Sequence, residues 1–123
     1  MNFLTDRKRA QGLGAGHSGT HHHWEMMVSS IAIAVLIPIS IFMFGSALGG
    51  TYEEVIAYYA RPFPAIITAL TLVVGIFHFM REAQAAAEDY IGGTKRKLTI
   101  IVLSFGCYAL MAAGLFALIK LAL

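Results

Sequence analysis

An imidazole inside an otherwise apolar run is the residue best placed to do chemistry in this chain. His78 is the one ionisable side chain between Pro62 and Met80. Ionisable groups at membrane depth are costly, so they face protein and are paired or liganded. On an α-helix Gly75 and Thr71 fall on nearly the same face, one and two turns back. Gly75 would let a flat group approach the backbone closely. Chemistry alone leaves two readings of His78 open: an axial ligand of a b-type haem, or a hydrogen bond to a neighbouring helix.

Asp89 follows His78 by eleven residues, close to three helical turns. If the helix persists, the two share a face and lie about 16 Å apart along its axis. Asp89 and Tyr90 put an acid and a phenol together at a membrane boundary, where they could bind a polar head group. The plainer reading is an interfacial aromatic beside a solvated acid. The run His21, His22, His23 and Trp24 stands just before the first apolar segment. Adjacent histidines on a helix point in different directions, so these three read as contacts to a partner or to lipid head groups. The single cysteine, Cys107, excludes an intrachain disulfide and an all-cysteine metal site, and in an apolar run it reads as a small buried thiol. No phosphate loop, nucleophile–base pair or zinc spacing occurs, which argues against a self-contained active site.

The elements that must position these groups are membrane spans. Of the 123 residues 58% are hydrophobic and 13% charged, against roughly 25% charged in a soluble domain. Three apolar segments, about 26–48, 62–80 and 98–119, each approach or exceed the ~20 residues that cross hydrocarbon. A polar leader, residues 1–25, precedes them. The expected fold is one all-α membrane anchor domain, residues 1–123, with three transmembrane helices. The Ala-rich stretch through Ala87 should continue the second helix, and Gly92 and Gly93 should stop it. Basic residues concentrate in the leader (Arg7, Lys8, Arg9) and second connector (Arg81, Lys95, Arg96, Lys97), with only Arg61 and Lys120 opposite. That bias predicts a cytoplasmic N-terminus and a periplasmic C-terminus. The first apolar run is too long and too far in for a cleaved signal peptide. A leader that is neither Ser-rich nor acid-free favours a bacterial inner membrane over a mitochondrial one. No basic stripe with interleaved aromatics points to nucleic acid.

The stretch His78 to Tyr90, HFMREAQAAAEDY, resembles the smaller hydrophobic membrane anchor of succinate dehydrogenase (respiratory complex II). That family's pattern, a haem-ligating His, then Gln, then Glu-Asp-Tyr, falls on His78, Gln84, Glu88, Asp89 and Tyr90. The leader GLGAGHSGTHHHW is similar to the Gly-rich, His- and Trp-containing segment of the α-proteobacterial branch. Two departures stand out. Met26 and Met27 occupy the place where many relatives have an Arg near the first span. Arg81 and Glu82 replace an apolar residue and a Gly.

The resemblance implies a succinate:quinone oxidoreductase. A flavoprotein subunit oxidises succinate and an iron–sulfur subunit carries the electrons to the membrane. This chain and a second anchor subunit hold both at the cytoplasmic face. The two anchors share one haem b, each giving one axial His, here His78, and complete a ubiquinone pocket with Asp89 and Tyr90. One His within the spans cannot supply both strong axial ligands, so a partner is required. Ala109, Ala113 and Ala117, four apart on the third span, offer a close-packing face to neighbouring helices. Two other assignments remain: a haem-free accessory subunit of another membrane complex, and the anchor of a fumarate reductase.

Overall fold

The computed structural model describes residue 3, residues 5–12, residue 14 and residues 17–123, without the side chain of residue 17. Part of the Gly-rich leader motif, Leu13, Ala15 and Gly16, therefore lies outside the described residues. The described chain folds into α1 (Asp6–Gln11), α2 (His17–Ala47), α3 (Tyr52–Ala60), α4 (Pro62–Tyr90) and α5 (Gly93–Ala122).

Three of these helices, α2, α4 and α5, are long and apolar enough to cross a bilayer. Their 31, 29 and 30 residues give lengths of about 45 Å, where hydrocarbon needs only about 30 Å. The surplus lies mainly at one end. α2 starts at residue 17, so the triple histidine is helical and not an irregular flank. α4 opens with Pro62 in its first turn, where a missing N–H costs nothing, and runs past Ala87 to Tyr90. The helix therefore reaches Asp89, the condition for Asp89 to share a face with His78. Gly93 has φ +64°, a left-handed conformation that side-chain-bearing residues avoid. It turns the chain into α5, five residues before the apolar run.

The apolar pattern does not predict α3. Its signal is a capping box: Glu54 N–H donates to Thr51 Oγ1 (3.3 Å), and Thr51 N–H to Glu54 Oε2 (2.8 Å). Tyr58 and Tyr59 meet edge-to-face near its end, 5.2 Å between centroids.

α4 is the central helix. It packs against both α2 and α5, while α2 and α5 make no close approach to each other. Few of the described side chains are buried: Ser29, Met43, Pro64, Met80, Ala87 and Cys107. Phe42 and Phe105 are more than 70% exposed, because lipid is as good a solvent for them as a protein core. Packing and interhelical hydrogen bonds replace the hydrophobic effect. Ser40 Oγ meets Thr71 Oγ1 at 2.7 Å, and Thr71 gives its own proton to the Ile67 carbonyl. Gln84 Nε2 donates to Ser104 Oγ (2.8 Å), which donates to the Ile100 carbonyl. Gly114 presses so closely on Leu72 that a Cβ there would collide with it. The intrachain seam of α5 thus runs through Cys107 and Gly114. Ala109, Ala113 and Ala117 lie outside it and are exposed, so that row does not pack within this chain.

Candidate functional site

His78 is held from α2. Its Nδ1 lies 2.9 Å from the Oγ of buried Ser29, which donates to the Met26 carbonyl at 3.0 Å. A hydroxyl has one proton. With that proton on Met26 O, Ser29 accepts from Nδ1–H, and the lone pair of His78 is left on Nε2. The closest acidic oxygen, Glu82 Oε1, stands 3.9 Å from Nε2, beyond hydrogen-bond reach. The Glu82 side chain is mostly solvent-exposed and does not close off the ring. One turn back, a Cβ added at Gly75 would meet nothing within 4 Å. One side of α4 is thus open, flat and flanked by an imidazole nitrogen with a free lone pair. Metal-bound histidines show the same arrangement, with the second ring N–H donated to fix tautomer and orientation. The donor set fits one axial position of a haem and supplies no second one.

The two readings of His78 are therefore not exclusive, because they use different nitrogens. Thr71 lies on the His78 face as expected, and joins α4 to α2 through Ser40 as His78 does through Ser29. Gln84 likewise joins α4 to α5.

Asp89 and Tyr90 occupy the last turn of α4. Tyr90 is 89% exposed, and neither side chain makes a hydrogen bond among the described residues. His78 and Asp89 share a continuous helix, about 16 Å apart by its rise. The fold does not gather His78, Asp89 and Tyr90 into one pocket. A pocket at Tyr90 needs walls that this chain does not provide.

A second polar cluster ties the N-terminal turns of α2 to α4. Glu25 receives Arg81 Nη2 at 3.0 Å on one oxygen and His21 Nε2 at 3.0 Å on the other. The Arg81 guanidinium lies over the Phe77 ring, 5.2 Å from its centroid. Of the three adjacent histidines, His21 joins this cluster, His22 turns into a polar cavity of about 400 Å³, and His23 is exposed. Sequence reasoning missed Ser29 and the Glu25–Arg81 pair. The signals for them were a hydroxyl inside an apolar run and two opposite charges bordering two spans.

Residues 1–117 match the profile of the succinate dehydrogenase/fumarate reductase transmembrane subunit family. Over its full length the chain is 43% identical to the succinate dehydrogenase hydrophobic membrane anchor subunit of Paracoccus denitrificans, covering 95% of that protein. The corresponding subunit of Rickettsia bellii is 26% identical, over 82% of this chain and 81% of its own length. That of Rickettsia conorii is 26% identical, over 95% of this chain and 94% of its own. No solved structure matches significantly.

Proposed function

Because the chain belongs to this transmembrane subunit family, as a membrane anchor of succinate dehydrogenase (respiratory complex II), we propose that His78 is an axial ligand of a b-type haem. The observation that carries the reading is the Ser29–His78 hydrogen bond, which leaves Nε2 as the coordinating atom beside the open Gly75 face. A haem held there supplies one-electron storage close to the quinone. The second strong axial ligand comes from the second anchor subunit, since this chain has no other histidine in its spans.

Asp89 and Tyr90 belong to the ubiquinone site at the cytoplasmic edge of the bacterial inner membrane. Reducing a quinone builds negative charge on its oxygens, and the Tyr90 hydroxyl can donate a hydrogen bond to one of them. An ionised Asp89 cannot donate. It accepts from a basic group, an Arg of the second anchor, and so fixes that wall of the pocket. The walls that Tyr90 lacks here are those of the second anchor and the iron–sulfur subunit, through which electrons arrive from the flavoprotein. This arrangement requires the N-terminus in the cytoplasm and the C-terminus in the periplasm.

The test is the optical spectrum of the purified complex carrying His78→Leu. The low-spin b-type band should be lost or converted to a high-spin form. An unchanged low-spin spectrum would remove His78 from the coordination sphere.

A further inference from the structure

We propose that the seam between α2 and α4, on the side facing α5, binds one membrane phospholipid with a primary-amine head group. Two cavities lie end to end along this seam. The polar one, about 400 Å³, reaches Glu88 in the last turn of α4, and the apolar one, about 600 Å³, descends to Ala32 and Val73 within the spans. Glu25 lines both. On α4 their walls recur at steps of three and four residues, Val74, Phe77, Arg81, Ala85 and Glu88, which is one continuous face. A groove that is charged at the membrane boundary and apolar at membrane depth has the polarity profile of a lipid.

At 100° per residue Gly75 and Glu82 lie about 120° and 100° around α4 from the centre of the groove residues, and His78 about 60°. The groove therefore avoids the open Gly75 side, although Ser29, which holds His78, also lines its apolar part. Tyr108 and Met111 of α5 wall the apolar part. It exists because α2 and α5 stand apart on either side of α4.

The apolar part follows α2 from Trp24 to Ala32, about 12 Å at 1.5 Å per residue, and its apolar lining suits the acyl chains of a lipid.

Charge selects the head group. Arg81, whose Nη2 is engaged by Glu25, and His22 line the polar cavity and are its donors for a lipid phosphate. Against the positive charge of Arg81 stand Glu25 and Glu88, and Glu88 has no ion pair among the described residues. The polar end thus carries excess negative charge, so the bound head group must bring a cation along with its phosphate. A phosphoethanolamine satisfies both ends, whereas an anionic lipid leaves Glu88 facing like charge.

The experiment uses the whole complex, stripped with detergent, re-equilibrated with vesicles of equal phosphatidylethanolamine and phosphatidylglycerol, and washed. Retained lipid is counted by mass spectrometry. About one phosphatidylethanolamine per complex should survive the wash, held by apolar burial and charge together. Ala32→Trp overfills the apolar floor and should lower retention about tenfold or more. Glu88→Lys, at an exposed site, should shift the retained lipid towards phosphatidylglycerol. The proposal is overturned if the wild type retains no phospholipid, or retains a quinone there instead. It is equally overturned if Ala32→Trp retains as much as wild type, or if Glu88→Lys leaves the lipid ratio unchanged.

Discussion

On the proposed haem ligation, His78 would serve two roles through its two nitrogens, with Nδ1 bonded across to α2 and Nε2 left for iron. Ser29 would then be a positioning residue, and its loss could be separated from loss of the ligand. Ser29→Ala should keep a low-spin haem but weaken its retention about 10- to 100-fold, the usual cost of removing a partner behind a metal ligand. Haem per complex during detergent washing measures this, and wild-type retention would show that Ser29 does not orient the ring. Tyr90→Phe removes one hydroxyl and leaves the exposed ring. It should lower ubiquinone reduction by about 10²-fold or somewhat less, while succinate oxidation with an artificial acceptor at the flavoprotein continues. A wild-type rate with unchanged inhibitor sensitivity would make Tyr90 an interfacial aromatic only.

Two glycines report on different sides of the helices that carry these residues. Gly114 is the point where α5 closes on the Leu72 side chain of α4, so any side chain there must displace Leu72. Gly75 faces open space within the chain. Gly114→Leu should therefore destabilise the fold itself, by about 1–3 kcal/mol for an overpacked contact, read as a lower melting temperature of the complex. Gly75→Leu should leave intrachain packing intact and disturb only what approaches α4 from outside. Its expected signature is an altered haem spectrum or poor assembly with the second anchor. A normal spectrum and normal assembly would mean that nothing flat lies against Gly75.

For the whole molecule, the distribution of cations predicts an orientation that can be tested. Reporter fusions after Gly50 and after Leu123 should both report the periplasm, and a fusion after Gly93 the cytoplasm. The opposite pattern would put Tyr90 on the wrong side of the membrane from the soluble subunits and end the quinone assignment. The lengths of α2 and α4 add a consequence of their own. Both overrun the hydrocarbon at the end carrying His21, Arg81 and Tyr90, so the extra turns form a helical platform outside the bilayer.

Three spans, the helix joining His78 to Asp89 and the turn at Gly93 were legible in the sequence. Each rests on local physics: apolar length against bilayer thickness, Ala-rich helix propensity, and glycine's tolerance of positive φ. The capping box that starts α3 was equally local but hidden among polar residues. The sequence also singled out His78 as the costly residue, because an ionisable group at membrane depth is unusual whatever surrounds it. It did not show what holds that residue. Ser29 lies 49 positions away, and Glu25 and Arg81 are 56 apart, separations at which no periodicity carries information. Nor did composition show that α2 and α5 leave a groove between them, or that the Ala109 row faces outward while Gly114 faces α4. All three spans are apolar nearly all round, so hydrophobic pattern cannot tell a packed face from a lipid face. Only the packing of α2 and α5 on α4, made by a few hydroxyls, one ion pair and one glycine contact, decided which faces meet.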